Sequence, residues 1–451
     1  MPYDGEYAHY QPLKRIVESE RVKQLLRRSR VLERSAVQKT ILPQSPPDPT
    51  TPQPKLILAI DGSTAEVDVR NGYPGAKVGY CSVASVIVNL EEVDRLDIQR
   101  PTDPVLFRRT EDSSSDACAL PGCNVITRDH TSAKDSFREA VFDLLHDAIV
   151  DEEDHTRLLE TYQALLVNKP TEMIQCPYAS LGCSRDVRIG RNVESCECNL
   201  RKPLYPTDAL RIHERFNDES GTNGEAFAYV MQVWERLLFV HLLRCFEQRD
   251  WLDRLNNVAF FLDGPLAVFG PPAWLSAAIG RELQRLNTLV RAKTGNDLIL
   301  VGIEKTGNFV DHFEELDRRE DGTEHFPSRS YFLLTDSYIK QRVIYSDSTK
   351  RYGADTYFGR KFLYKARSGA RIVASIPFLD PQQDTLHSED VRLYPQFGTV
   401  CALLDKLVTS RFENALAPLV SAHAQAAIPL HLGQKVLKQL AQALMHQPAQ
   451  R

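Results

Sequence analysis

The sequence predicts an α/β protein with a mixed sheet flanked by helices. Short apolar runs typical of buried strands, such as "LILAI" at residues 56–60 and "VAFFL" at 258–262, alternate with longer stretches whose apolar residues recur at helical spacing. With 451 residues, of which 42% are hydrophobic and 25% charged, the chain has a globular composition. That length predicts one large domain with additions, or two domains.

Composition also excludes several classes of protein. Apolar runs stay far short of the ~18–20 residues that a membrane span needs, and the N-terminus lacks the apolar segment of a signal peptide. We therefore expect a cytoplasmic protein, in which nine cysteines argue against a disulfide framework. The net charge of −5 excludes a uniformly basic nucleic-acid binder, so any polyanion would be bound by local basic patches.

The chain divides into four predicted segments. Residues 1–53 combine a helix within 10–34 with a proline-rich, extended linker. Residues 54–169 begin with the strand at 56–60 and a hairpin and continue with two helices. Residues 170–215 are a cysteine-rich insertion, and residues 216–451 contain a long helix near 225–248, several strands and C-terminal helices.

Two buried strands are followed directly by a carboxylate and a glycine, at Asp61-Gly62 and Asp263-Gly264. A carboxylate at the carboxyl end of a buried strand lies at the edge of the sheet, and several together could hold Mg²⁺ or Mn²⁺ for phosphodiester hydrolysis. The alternative is that each Asp-Gly pair merely ends its strand in a turn. The segment "IDGST" also resembles the first phosphate loop of actin-like sugar kinases, although no second phosphate loop follows.

Four cysteines, Cys176, Cys183, Cys196 and Cys198, lie within 23 residues of an insertion too small for its own core. Four thiolates fit a tetrahedral structural Zn²⁺ site whose binding energy would replace apolar burial. The spacing departs from paired Cys-x₂-Cys motifs, so an iron–sulfur cluster and unligated thiols remain alternatives.

A basic segment rich in aromatic residues, 350–371, suits a channel for single-stranded DNA, because cations contact phosphates while aromatic rings stack on bases. Its candidate DNA contacts are Arg360, Lys361, Tyr364, Lys365 and Arg367. The alternative is a hairpin with the aromatic rings inward and the lysines outward.

Four motifs occur in one order along the chain: "LAIDGS", "FFLDGPL", "LVGIEKT" and "PLVSAHAQAAIPL". In this order and spacing, over about residues 54–435, the chain resembles the NurA family of DNA-end-processing nucleases. The resemblance implies an RNase H-like fold, Mn²⁺-dependent nuclease activity, a homodimer, and partnership with a HerA-type hexameric ATPase.

The resemblance also implies a set of site residues. Asp61 and Asp263 match the family's metal-binding aspartates, and Glu139 in "SFREAV" matches its glutamate on the intervening helix. Asp143, one turn later, could be the true equivalent, and Ser136 to Glu139 also fits a capping box in which Glu139 is only structural.

Two further residues match the family's motifs. Lys305 could stabilise the charge of the scissile phosphate. His423 could orient the attacking water or transfer a proton. Their alternatives are a solvated lysine at a strand end and a structural histidine on a helix.

The hypothesis from the sequence is a deoxyribonuclease with catalytic Mn²⁺ or Mg²⁺ and structural Zn²⁺, acting on DNA ends in repair or phage defence. The alternative is a non-catalytic, zinc-stabilised DNA-binding adaptor of a HerA-type translocase. Loss of the middle carboxylate would favour the adaptor.

Overall fold

The computed structural model divides the chain into two compact units, Met1–Ile41 and Leu42–Arg451. It describes residues 10–30, 41–72, 74–94, 111–127, 130–151, 156–169, 173–198, 200–319, 322–408, 416–428 and 432–445. The first unit contains helices α1 (Tyr10–Glu18) and α2 (Glu20–Arg28), neither of which has a buried residue. The sequence predicts one helix here, but extended backbone at Ser19 separates two.

The second unit is built on strands and helices in mixed order. Its strands are β1 (Leu56–Arg70), β2 (Ala76–Asn89), β3 (Glu111–Pro121), β4 (Ile149–Asp151), β5 (Thr156–Arg157), β6 (Met173–Gln175), β7 (Asp186–Arg188), β8 (Glu194–Ser195), β9 (Pro203–Leu204), β10 (Val258–Asp263), β11 (Ile299–Glu304), β12 (Ser330–Leu333), β13 (Gly359–Lys365) and β14 (Arg371–Pro377). Its helices are α3 (Leu90–Asp94), α4 (Ala133–Asp147), α5 (Leu158–Leu166), α6 (Gly224–Gln248), α7 (Trp274–Thr294), α8 (Asn308–Asp317), the single turn α9 (Asp336–Tyr338), α10 (Phe397–Leu407), α11 (Ala417–Ala426) and α12 (Leu432–Met445).

Eight strands form one mixed sheet in the order β12-β13-β14-β11-β10-β1-β2-β3. Strands β1, β2 and β3 form an antiparallel meander, and β10 and β11 add to β1 in parallel. Strands β14, β13 and β12 then extend the sheet in antiparallel order. The predicted mixed α/β fold is confirmed.

Both faces of the sheet are buried in an apolar core. Along β1, Leu58 and Ile60 join the core beneath helices α4 to α7, whereas Ile57 and Ala59 join the opposite core with α10 and α11. Because successive side chains of a strand point to opposite faces, a strand covered on both sides reads as an unbroken apolar run. This explains the "LILAI" pattern.

Strand β1 does not end at Asp61 as the sequence predicts. Its parallel pairing with β10 ends at Ile60–Leu262, but its antiparallel pairing with β2 continues to Arg70–Ala76. The long partner strand β2 keeps the backbone of β1 hydrogen-bonded beyond the parallel part of the sheet. Asp61 is therefore the first residue of the hairpin that projects past β10.

The cysteine-rich insertion shares its core with the sheet. It consists of two short ladders, β6–β7 and β8–β9, and its apolar residues Ile174 and Ile189 pack in the same core as α4 to α7. The segment boundaries at residues 53, 169 and 215 stay predictions.

Helix α6 is the one helix of the described chain that is long and apolar enough to cross a membrane by length and composition. It lies against β1 and β2, and 67% of its most apolar window is buried inside the protein. A core helix passes the same test, and this one carries a Glu235-Arg236 pair at its centre.

Candidate active site

Four predicted side chains converge where the parallel part of the sheet ends. Asp61 follows the parallel part of β1, Asp263 is the last residue of β10, and Lys305 follows β11. Lys305 Nζ lies 3.3 Å from Asp61 Oδ2 and 2.9 Å from Asp263 Oδ1. His423 of α11 places Nδ1 3.0 Å from Asp61 Oδ2. Adjacent parallel strands thus bring together residues that are far apart in the chain.

Glu235 of α6 supplies a third carboxylate that the sequence analysis missed. A Cβ built on Gly62 would lie 2.7 Å from Glu235 Oε1, so the glycine next to Asp61 is what admits this side chain. Burial raises the pKa of Glu235 to about 8, with Arg236 opposing the shift and the charges of Asp61 and Asp263 adding to it. The three carboxylates therefore act on one another electrostatically.

Asp61 is also buried, with 2% of its surface exposed. Burial raises the pKa of Asp61 to about 6, and the charge of Asp263 adds to this shift while Lys305 and His423 oppose it. Burial is therefore the main cause of the raised pKa values of Asp61 and Glu235, and the neighbouring carboxylates add to it.

Arg236 fixes the backbone that follows Asp263. Its Nη2 donates to the carbonyl oxygens of Asp263 at 2.9 Å and Pro265 at 3.2 Å, and its Nη1 lies 3.4 Å from Glu235 Oε2. Gly264 turns the chain here with a φ of +74°, in the left-handed region that favours glycine. The guanidinium thus holds both Glu235 and the turn after Asp263.

The hairpin holds helix α11 in place. Ser82 Oγ donates to the carbonyl of Ala426, and the N–H of Ile428 donates to Ser63 Oγ at 3.3 Å. His423 keeps 58% of its side chain exposed while it contacts Asp61. Its ring is therefore anchored on one side and open to a substrate on the other.

The chemistry of the donor set suits a hard divalent cation, although the ligand oxygens of the three carboxyl groups do not all lie within 4.8 Å of one another. Asp263 Oδ1 is buried and receives no hydrogen bond of good geometry, even though Lys305 Nζ lies close to it. Three carboxyl groups, those of Asp61, Glu235 and Asp263, lie among two permanent cations, Lys305 and Arg236. Carboxylate oxygens are the ligands that Mg²⁺ and Mn²⁺ prefer.

Glu139 lies in a different cluster. Its Oε2 is 2.8 Å from His130 Nε2, and its Oε1 accepts a hydrogen bond from the Tyr205 hydroxyl at 3.3 Å. Asp143 lies beside it, since burial and the charge of Glu139 raise the pKa of Asp143. The contacts that the structure gives these two residues include neither aspartate of the site, so the prediction that one of them is the third carboxylate is not supported.

The capping box suggested for Glu139 is absent as well. Helix α4 begins at Ala133, and its N-cap is Ser132, whose side chain accepts from the N–H of Asp135. The signal that could have found Glu235 is an adjacent Glu-Arg pair inside the apolar stretch "VWERLLFV", because charged residues are rarely buried without a partner or a function.

The predicted DNA contacts of β13 are wrong for four of the five residues. Arg360, Lys361, Tyr364 and Lys365 are all at most 5% exposed, because β13 is an interior strand between β12 and β14. Arg367, beyond the end of the strand, is exposed.

The charges of β13 are satisfied internally. Lys361 pairs with Glu304, and Lys365 Nζ lies 2.7 Å from Asp317 Oδ2. Arg360 donates to the carbonyls of Leu334, Gln383 and Thr385. In contrast to the alternative hairpin model, the lysines point inward together with the aromatic rings.

The cysteines of the insertion form a compact cluster. The Sγ atoms of Cys176, Cys183 and Cys196 all lie within 4.8 Å of one another, with Cys176–Cys196 at 3.6 Å and Cys183–Cys196 at 3.8 Å. A tetrahedral site with Zn–S bonds of ~2.3 Å has edges of about 3.8 Å. Cys198 lies near Cys183 and Cys196, but its sulfur is not within 4.8 Å of all three others.

Backbone amides support the same cluster. The N–H groups of Tyr178, Arg185 and Cys198 hydrogen-bond to the sulfur atoms of Cys176, Cys183 and Cys196, in each case two residues earlier. Such bonds stabilise thiolates, the form that binds metal. All nine cysteines lie in the described residues, and none forms a disulfide.

Comparison with protein families decides the assignment. The model of the NurA domain matches residues 55–410. This chain belongs to the NurA domain family. The matched range includes Asp61, Glu235, Asp263 and Lys305, and His423 follows it.

Solved NurA structures are similar to this chain at low identity. The crystal structure of the NurA nuclease from Sulfolobus solfataricus is 10% identical, with 98% of this chain and 100% of that chain covered and a TM-score of 0.33. The crystal structure of NurA with manganese is 10% identical, with 96% of each chain covered and a TM-score of 0.24. No curated protein matches the chain. Because these TM-scores are low, the family assignment rests on the domain match.

Proposed function

We propose that this NurA-domain protein is a divalent-metal-dependent deoxyribonuclease that hydrolyses phosphodiester bonds. The observation that carries the proposal is the convergence of Asp61 and Asp263 on Lys305 at the end of the parallel strands, with the carboxyl group of Glu235 entering beside Gly62. The family supports it, since one solved member is a NurA nuclease and another contains manganese.

The roles of the residues follow from their positions. Asp61, Glu235 and Asp263 would hold Mn²⁺ or Mg²⁺, which when bound activates water and stabilises the leaving oxygen. Lys305 places an ammonium beside both aspartates, where it can stabilise charge that develops on the scissile phosphate. Asp61 orients the His423 ring through Nδ1, which leaves Nε2 to orient water or transfer a proton.

The topology supports the RNase H-like core that the resemblance implies. The antiparallel strands β1 to β3, followed by parallel β10 and β11, place Asp61 and Asp263 on neighbouring strands. The remaining strands, β12 to β14, then form an addition to this core. Glu235 enters from the helix that covers β1, so all three carboxylates stand on rigid elements.

Cleavage of end-labelled linear DNA tests the nuclease. Purified protein should degrade the DNA with Mn²⁺ or Mg²⁺ and not with EDTA, and Asp263→Asn should abolish cleavage while the protein stays folded and binds DNA. Metal-dependent cleavage that persists in Asp263→Asn would contradict the proposed centre. The adaptor alternative loses its main support, because Glu235 supplies the carboxylate whose loss would have favoured it.

We also propose that the cysteine cluster holds structural Zn²⁺ through Cys176, Cys183, Cys196 and Cys198. Elemental analysis of purified protein should find about one zinc per chain, and Cys183→Ser should lose it together with thermal stability, while Cys118→Ser should retain it. Iron with visible absorption would instead indicate an iron–sulfur cluster and overturn the zinc assignment.

The partners are proposed from the resemblance alone. We propose that the protein works in the cytoplasm as a homodimer with a HerA-type hexameric ATPase, processing DNA ends in repair or phage defence. Light scattering gives the oligomeric state directly. Co-purification with a HerA-type ATPase, followed by cleavage assays with ATP, tests the partnership.

A further inference from the structure

The burial of β13 withdraws four of the five predicted DNA contacts, which directs attention to other basic surfaces of the protein. The insertion and the end of α5 enclose a cavity of about 580 Å³. The described residues that line it include Lys169, Arg188 and Arg191, with Glu194 as the one acid among them. A concave surface with excess positive charge is the usual footprint of a nucleic-acid backbone.

A second cavity of about 390 Å³ lies on another side of Lys169, which lines both. It adds the cation Arg211 and the ring of Trp274, and none of its described lining residues is acidic. We call the two cavities together the basic groove.

The carboxylate of Glu194 lies in the first cavity of the groove, beside Gly190. A Cβ built on Gly190 would lie 2.4 Å from Glu194 Oε1, so this carboxylate is held against the backbone of Gly190. At Lys169, burial and the charge of Arg211 lower the pKa of the ammonium, and Glu214 only partly offsets them. Because Arg211 is paired with Glu214 at 2.7 and 2.9 Å, the excess of cations in the groove rests on Lys169, Arg188 and Arg191 against Glu194.

Apolar surface lies beside these cations. Val167 is 61% exposed and Met173 is 48% exposed, at the rims of the first and second cavities respectively. Together with Trp274 they offer flat apolar surface to unpaired bases, while the cations can contact phosphates. Paired bases of a duplex cannot use such a surface.

We propose that the basic groove binds the backbone of single-stranded DNA. This goes beyond the proposed nuclease centre and rests on it only in taking the same substrate. Chain continuity links the two sites, because residues 264–273 run directly from Asp263 to Trp274 at the groove.

The test is fluorescence anisotropy with a labelled 20-nucleotide oligo-dT, without chelator and without added Mn²⁺ or Mg²⁺, with all proteins carrying Asp263→Asn. The groove variant combines Lys169→Ala, Arg188→Ala and Arg191→Ala. Its control combines Lys55→Ala, Arg318→Ala and Arg392→Ala, which removes the same charge from exposed side chains elsewhere. Since no cleavage is measured, failure of the nuclease proposal would leave this result interpretable.

We expect the groove variant to bind oligo-dT at least tenfold more weakly, with a salt slope smaller by about 2, from three phosphate contacts of about 0.7 each. The control should bind like the parent protein, and a 20-base-pair duplex should lose less affinity than oligo-dT. Equal losses in both variants, no loss in the groove variant, or a larger loss for the duplex would overturn the proposal.

A second pair of variants tests the groove in case the triple groove variant does not fold. Val167→Glu adds an acid at the exposed rim of the groove without removing a contact, whereas Val436→Glu adds one to an exposed position of α12. Only Val167→Glu should weaken binding of oligo-dT. Equal affinity of the two variants would contradict the groove.

Discussion

The carboxylates of the candidate active site and the lysines of β13 are both buried, but their charges are balanced differently. In β13, Lys365 and Asp317 are both fully buried and paired at 2.7 Å, and Arg371 adds a second hydrogen bond to the same carboxylate. Around Asp61, the carboxylates outnumber the cations, and the pKa of Asp61 rises to about 6.

The opposite pKa shifts of the two regions show what this difference means. Burial alone would raise the pKa of Asp317, but hydrogen bonds from Lys365, the Phe326 N–H and Arg371 lower it overall. A buried carboxylate with enough partners stabilises the fold, whereas buried carboxylates in excess favour a cation. Charge balance, rather than burial, separates the structural region from the functional one.

The largest expected effect, on the rate of DNA cleavage, comes from removing one carboxylate of the candidate active site. Asp61→Asn should lower DNA cleavage by at least about a hundredfold, more than the ten- to hundredfold typical of residues that only support metal ligands. Its free energy of unfolding should stay equal or increase, because one of several repelling carboxylates is gone. Cleavage rates and urea unfolding of Asp61→Asn and the control Asp143→Asn measure both. If Asp61→Asn lost stability and kept its specific activity, Asp61 would be a structural residue and not part of an active site.

The balanced region should respond in the opposite way. Lys365→Met leaves Asp317 buried without its main partner and should cost about 3–5 kcal/mol of unfolding free energy. Arg367→Met, two residues later and exposed, should stay within about 0.5 kcal/mol. Urea unfolding measures this, and oligo-dT binding of the folded variants should not change. If a stable Lys365→Met protein lost DNA binding, the prediction that Lys365 contacts DNA would be correct after all.

A smaller effect should follow from crowding Glu235 without changing any charge. Gly62→Ala would place a Cβ 2.7 Å from Glu235 Oε1 and 3.1 Å from the Ser82 carbonyl oxygen, so the glutamate must move. We expect Mn²⁺ affinity, measured by titration calorimetry without DNA, to fall about tenfold. Gly280→Ala is the control, because its Cβ would meet nothing closer than 3.6 Å. Equal affinities in the two variants would show that Glu235 does not contribute to metal binding.

The smallest effect is the pH dependence of the balanced region. Because the pKa of Asp317 is lowered in the folded state, its stabilisation is complete above its unfolded pKa and is lost as the pH falls. Between about pH 5 and pH 2, the unfolding free energy of the unsubstituted protein should therefore fall more steeply than that of Asp317→Asn. Parallel curves in urea unfolding would mean that Asp317 is not stabilised by its partners.

The sequence predicts the strands and both aspartates well because their signals are local. An apolar run followed by Asp-Gly identifies β10 and its end at Asp263 without knowledge of any other residue. Asp61 is found in the same way, although only the pairing with β2 shows that β1 continues to Arg70.

Other features depend on contacts that no local pattern contains. Glu235 becomes part of the site because α6 crosses β1 at Gly62, and this crossing is a property of packing. Likewise, the two buried lysines of β13 are neutralised by Glu304 and Asp317, which lie far away in the sequence. A basic segment therefore looks like a DNA-binding surface until its acidic partners are known.

The most direct test of the account compares two glutamates in one assay. Metal-dependent cleavage of end-labelled DNA is measured for Glu235→Gln and Glu139→Gln, with circular dichroism to confirm that both are folded. We predict that Glu235→Gln loses at least about a hundredfold in rate, whereas Glu139→Gln retains activity within about threefold, because Glu235 lies beside Gly62 and feels the charges of Asp61 and Asp263. Loss of cleavage in Glu139→Gln with activity retained in Glu235→Gln would contradict the site described above.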